Sequence, residues 1–131
     1  MGYLAVAVGG AIGALLRWEL GELVPDGSGF PWTTFAINVS GALVLALLPW
    51  SGPVRRRPRL ALALGPGVLG GYTTLSAYAE QTRELVADGA ALVGFAYLLG
   101  TLTACLVAVA VASRLLPPGA AAELAREGGD E

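Results

Sequence analysis

Thr34 and Asn38 stand four residues apart in an apolar stretch, with Ser40 and Gly41 close behind. At helical spacing the two share a face. A hydroxyl and a carboxamide can both donate hydrogen bonds, so the pair could contact an anion. It could equally tie two helices together, where such bonds contribute about 0.6 kcal/mol on average. Farther along, Gly65-Pro66-Gly67-Val68-Leu69-Gly70-Gly71-Tyr72-Thr73-Thr74-Leu75-Ser76-Ala77-Tyr78 places a proline and four glycines within seven positions. A continuous helix is disfavoured there, and a break frees carbonyl oxygens that need protein, water or an ion as partner. Such oxygens are hard ligands for a cation of the Na⁺ type, while the hydroxyls of Thr73, Thr74 and Ser76 can turn donors toward an anion. The alternative is a kink whose glycines pack against a neighbouring helix. Tyr97, Thr101 and Cys105 recur every four residues, a mildly polar stripe that packing alone also explains. Gly9 and Gly13 have the spacing of a close helix contact, and Arg17, near the end of its apolar run, can snorkel to the interface.

These residues fall on four apolar segments. The first runs from about Tyr3 to Val24, apolar as far as Leu16 and then carrying Arg17, Trp18, Glu19 and Glu22 in the interface. After the turn-forming cluster Pro25-Asp26-Gly27-Ser28-Gly29, the second runs from about Phe30 to Trp50, with Pro31 near its first turn and tryptophans toward both ends. The stretch from Pro53 to Arg59 carries Arg55, Arg56, Arg57 and Arg59 and must lie outside the membrane. The third segment spans about Leu60 to Tyr78, and Ala79 to Asp88 continues it as a polar helix or loop. The fourth spans about Ala90 to Leu116 and is stopped by Pro117-Pro118.

Runs this long fit a membrane better than a soluble core. Apolar residues make up 55% of the 131 and charged ones 14%, and the stretches between charges approach the roughly 20 residues that span a bilayer. The expected fold class is therefore an all-α membrane protein of four transmembrane helices, the third broken. Residues 1–116 form the membrane domain, and 117–131 form a disordered acidic tail ending Gly-Gly-Asp-Glu. With no histidine and the single cysteine Cys105, one chain cannot build a zinc site, a Cys-His nucleophile pair or an intrachain disulfide. No enzymatic activity is expected. Met1-Gly2-Tyr3-Leu4 lacks the basic region of a secretory signal, and Val6 stands where a myristoylation signal needs Ser or Thr, so the first membrane helix is expected to begin at once. Six arginines (Arg55, Arg56, Arg57, Arg59, Arg114 and Arg126) fall on one side of a four-pass chain against Arg17 and Arg83 on the other, which predicts a cell-membrane protein with both termini cytoplasmic.

Taken together, the motifs from Gly9 to Leu116 resemble the Fluc (CrcB-type) fluoride channel family. Gly9 to Arg17 is similar to the family's early Gly-Gly-x-x-Gly-Ala-x-x-Arg, and Thr34, Asn38 and Gly41 to its Thr-x-x-x-Asn-x-x-Gly. Gly70 to Tyr78 resembles Gly-Gly-x-Thr-Thr-Phe-Ser-Thr-Phe, and Tyr97, Thr101 and Cys105 resemble its fourth-helix ladder. The resemblance implies an antiparallel dual-topology dimer with two ion pathways and passive export of fluoride. It also implies a structural Na⁺ on the dimer axis, held by the carbonyls of Gly70 and Thr73. Thr34, Asn38, Ser76, Tyr97 and Thr101 would line the pathway, with Leu75, Tyr78 and Cys105 at family pathway positions, and Arg17 would be the structural first-helix arginine. The partners implied are fluoride, the bilayer and an antiparallel second subunit, a paralogue or another copy; no nucleic acid is expected. Three departures stand out: Leu75 and Tyr78 replace the family's phenylalanines, Ala77 replaces a threonine, and Cys105 replaces a hydroxyl. Leu75 offers no ring edge to an anion, which leaves a non-conducting partner subunit as an alternative. Another is a proton-coupled exporter of the small multidrug resistance type, which needs a carboxylate deep in the first helix, where only Glu19 and Glu22 are at hand.

Overall fold

The computed structural model describes residues 2–115, so the expected tail, 117–131, lies outside the described residues. Four helical stretches are long and apolar enough to cross a membrane: Gly2–Leu23, Trp32–Trp50, Pro58–Ala87 and Ala91–Leu115. Strands are absent among the described residues. The first span is helix α1 (Gly2–Leu23). The second is α2 (Trp32–Leu47) with a 3₁₀ turn, Leu48–Trp50, at its end. Pro31 immediately precedes that helix, next to its first turn. Trp18, Trp32 and Trp50 are all more than half exposed near span ends, as headgroup anchors should be.

After the short α3 (Gly52–Arg55), with Arg55, Arg56, Arg57 and Arg59 exposed around it, the third span is built in pieces. Helix α4 (Pro58–Leu62) widens into a π-helical stretch, Ala63–Leu69, then narrows to α5 (Gly70–Tyr72). Thr73 and Thr74 are extended, and α6 (Leu75–Ala87) resumes beyond them. Sequence reasoning placed interruptions at Gly65–Gly67 and Gly70–Gly71, but both stay helical. The wide turn absorbs Pro66: its missing N–H and its ring need more room than an α-turn gives, and the Gly70 N–H accordingly bonds the Gly65 carbonyl five residues back. The polar stretch from Ala79 is helix as far as Ala87, closing α6. Gly89 then adopts φ +81, and Ala90 N–H bonds the Leu85 carbonyl at 2.8 Å while Gly89 N–H bonds that of Val86 at 3.2 Å. This glycine-terminated cap turns the chain into α7 (Ala91–Leu115).

Packing places the third span against α1, backbone on backbone. A Cβ on Gly13 would lie 2.0 Å from the Val68 carbonyl oxygen, one on Gly71 2.2 Å from that of Gly10, and one on Gly9 2.3 Å from that of Ala63. Any side chain there forces the helices apart, so the Gly9/Gly13 spacing does mark a close helix contact. Helix α7 packs on both α2 and α6. A single chain buries few large side chains, chief among them Tyr97, and leaves Leu102, Leu106 and Leu75 exposed.

Candidate functional site

The break in the third span is held from the second. Asn38 Oδ1 accepts the Thr74 N–H at 2.8 Å, and Asn38 Nδ2 donates to the Thr74 carbonyl at 3.1 Å. One carboxamide thus takes the Thr74 N–H that would otherwise reach back along the helix, and adds a bond to the carbonyl of the same residue. The Thr74 hydroxyl caps α6 by accepting the Ala77 N–H at 3.1 Å, and lies 3.2 Å from the Ser76 hydroxyl. Because the Thr74 N–H turns to Asn38, the carbonyl of Gly70, four residues back, loses the donor a continuous helix would supply. Arg17 is not merely snorkelling: its Nε donates to the Gly71 carbonyl at 3.2 Å, a cation at the C-terminal end of a helical stretch, where the dipole favours it.

Two cavities meet at this break. One, about 560 Å³, is lined by Asn38, Thr73, Thr74, Tyr78, Thr101 and Cys105 among apolar neighbours. The other, about 570 Å³, is bounded by Arg17, Gly70, Thr73, Thr74, Leu75 and Ser76. Leu75 and Ser76 are exposed on the single chain, Leu75 at 78%. Thr101 is 3% exposed, and its hydroxyl has no hydrogen-bond partner among the described residues. Cys105 is half-buried one turn farther along α7. Tyr78 donates its hydroxyl to the Leu98 carbonyl and stacks edge-on against Tyr97, with centroids 5.2 Å apart.

Thr34 and Asn38 share α2 but not partners. The Thr34 hydroxyl donates to Asp26 Oδ2 at 2.8 Å and accepts from Gln81 Nε2 at 3.0 Å. The fully buried Tyr97 donates to Gln81 Oε1 at 2.8 Å. The structure therefore draws Asn38, Thr73, Thr74, Ser76 and Thr101 to the break, and Thr34 and Tyr97 to a separate polar knot one turn away on α2 and α7. Sequence reasoning missed Asp26 and Gln81. An acidic residue shortly before a helix start was the available signal for Asp26; Gln81 had none beyond lying one turn beyond Tyr78.

Helices and site together define an all-α, multi-pass membrane protein with polar groups gathered at a broken span. The family described as CrcB-like protein, Camphor Resistance (CrcB), matches residues 4–113, and the chain belongs to that family. It is 45% identical over 101 residues to a protein of Bacillus licheniformis named fluoride-specific ion channel FluC 2, covering 76% of this chain and 75% of that one. Against the fluoride-specific ion channel FluC of Thermus thermophilus it is 42% identical over 105 residues, covering 76% and 82%. With FluC 1 of Streptomyces coelicolor the identity is 43% over 111 residues, covering 82% and 72%. Family membership sets aside the drug-exporter alternative, and Glu19 and Glu22 agree, being exposed at the end of α1.

Proposed function

We propose that this chain is a subunit of a fluoride-selective channel in the cell membrane, through which cytoplasmic fluoride leaves passively. The observation that carries the proposal is the Thr101 hydroxyl: buried, without a partner among the described residues, and carried by a residue that lines the same cavity as Asn38, Thr74 and Tyr78. An unpaired buried donor costs about 1–3 kcal/mol unless something accepts from it. A small anion that is costly to dehydrate fits such a place, since hydroxyls, an amide and the positive edges of tyrosine rings can stand in for its water. Thr34, Asn38, Ser76, Tyr97 and Thr101 are the donors along the proposed path, with Leu75, Tyr78 and Cys105 as its apolar or weakly polar wall.

The proposed active form is an antiparallel dimer with both termini of this chain cytoplasmic. The Gly70 and Thr73 carbonyls suit a structural Na⁺, because the Gly70 oxygen is released by the Asn38–Thr74 pairing and Thr73 is extended. When bound, the ion would supply positive charge between the subunits. Arg17 takes the intervening Gly71 carbonyl, which leaves the other two for it. The bias of six arginines against two, together with exposed Leu75 where the family carries a ring, favours a paralogue of inverted orientation over a second copy as partner.

The test is fluoride efflux from loaded liposomes, read by a fluoride electrode, with the chain alone and with a co-expressed paralogue. Efflux that falls roughly tenfold in Thr101→Val, the effect of about 1.4 kcal/mol on a barrier, supports the reading. An assembled protein that passes no fluoride in either pairing overturns it.

A further inference from the structure

We infer that Asp26 sets the rate at the Tyr97 end of the path: its carboxylate is a tethered anion that a permeating anion must displace from the Thr34 hydroxyl and the Gln81 amide. The inference rests on the reading of this chain as an anion channel. Asp26 Oδ1 accepts the Thr33 N–H at 2.7 Å, while Oδ2 accepts the Thr34 N–H at 3.2 Å, the Thr34 hydroxyl at 2.8 Å and the Gln81 amide at 3.1 Å. Each of those partners is a neutral dipole, so the negative charge is held in place without being cancelled. The relay continues inward, since Gln81 Oε1 accepts from the buried Tyr97 hydroxyl. Every donor at this end of the proposed path is thus already committed within the chain. Thr34 gives its hydrogen to Asp26, Tyr97 gives its own to Gln81, and Gln81 is shared between Asp26 and Thr34.

Asp26 stands apart from the other acids nearby. Glu84 and Asp88 share with it a cleft of about 150 Å³, but only Asp26 bonds the path's own side chains. Its loop has room to move, because Gly27 and Gly29 have nothing within 4 Å of where a side chain would start. Swinging Asp26 outward would free the Thr34 hydroxyl and one Gln81 hydrogen together. An anion could then take both, and the carboxylate's return would expel it by like-charge repulsion.

Asp26→Asn tests this, since the amide keeps one oxygen to accept an α2 N–H while removing the charge. Fluoride efflux should rise roughly tenfold, corresponding to about 1.4 kcal/mol. Glu84→Gln, which changes the same cleft's charge without touching the relay, should change it less than about twofold by the same relation. Damage to the fold slows a channel, so a faster variant is not what a merely structural role predicts. Equal or slower efflux from assembled Asp26→Asn, or an equal rise in Glu84→Gln, overturns the inference. A second measurement does not depend on fluoride. In a Cys105→Ala background, Gln81→Cys is labelled with an anionic and a neutral methanethiosulfonate, with and without Asp26→Asn. The anionic reagent should gain on the neutral one when the charge is removed, and an unchanged ratio overturns the inference. A wild-type chain that passes no fluoride either alone or beside a paralogue refutes the channel reading instead, whereas an unchanged labelling ratio in a conducting protein refutes the role of Asp26.

Discussion

The third span has two unlike faces. Along its seam with α1 it is closed: at Gly9, Gly13 and Gly71 main chain touches main chain, with no space for even one methyl group, and only beyond Gly71 does a cavity open beside Arg17. Toward α2 and α7 it is open, with about 560 Å³ lined by Asn38, Thr73, Thr74 and Thr101. The closed face explains how the open one can exist. Extended residues in the middle of a membrane span cost backbone hydrogen bonds, and such a break persists only where its surroundings over-determine it. The glycine seam, with Arg17 on the Gly71 carbonyl, holds one side of the break, and Asn38 grips the Thr74 backbone on the other. Rigidity on the first face permits polarity on the second.

Breaking the closed face should have the largest effect. Gly13→Val puts three carbons where the first would already sit 2.0 Å from the Val68 oxygen. Overpacking of this kind costs about 1–3 kcal/mol in cores that can shift, and more where backbone faces backbone. The expected outcome is loss of assembled protein on size-exclusion chromatography, whereas Gly100→Val, with nothing near its Cβ, should assemble normally. A well-assembled Gly13→Val would show the seam to be looser than the distances state.

Next in size is Asn38, the hinge between the faces. Asn38→Ala removes both bonds to Thr74, with an expected loss of about 1–3 kcal/mol from the stranded backbone groups and of nearly all efflux. Asn38→Asp tests the role in conduction. Its carboxylate still accepts the Thr74 N–H but sets an oxygen against the Thr74 carbonyl in place of the amide donor, so thermal stability should fall here too, while a negative charge beside the cavity should stop anion flow. Full efflux in Asn38→Asp would return Asn38 to a purely structural role. Milder still is exchange of Na⁺ for a bulky organic cation during purification. Efflux or dimer stability should drop and recover when Na⁺ is restored, and no change would remove the Gly70 and Thr73 carbonyls from consideration as ligands.

Much of this contrast was legible in the sequence. Gly9 and Gly13 announced a close helix contact by spacing, and the Pro66 and glycine cluster announced an irregular third span, because both signals are local. The position of the break was not legible, since it depends on a bond between residues 36 apart: Asn38 diverts the Thr74 N–H, and the extended pair appears there instead of at the glycines. Nor was the pairing of Thr34 with Gln81, separated by 47 positions, which split a pair that shares a helix face. Helical periodicity gives the direction a side chain faces, and the partner waiting there comes from the tertiary fold. Thr101 shows the limit from the other side: its stripe was visible at four-residue spacing, but the absence of a partner for its hydroxyl among the described residues is a property of the packed helices.

The smallest expected effect sharpens the open face. Leu75 opens α6 immediately after the break, borders both cavities, and is 78% exposed, so a larger side chain meets little resistance from this chain. Leu75→Phe should therefore leave thermal stability within about 0.5 kcal/mol of the wild type, as surface substitutions usually do. What changes is the electrostatics at the cavity wall: a leucine presents uncharged methyl groups, and a phenylalanine presents a positive ring edge. Efflux should rise several-fold at most, because one ring edge adds to donors already supplied by Asn38, Ser76 and Thr101. The comparison is most informative in the two pairings. If the partner supplies the missing ring, Leu75→Phe should help the chain assayed alone and do little beside a paralogue. An equal gain in both would mean that the two pathways of the proposed dimer are limited by this residue independently. No gain in either would place Leu75 outside the path, among the lipid-facing or partner-facing side chains.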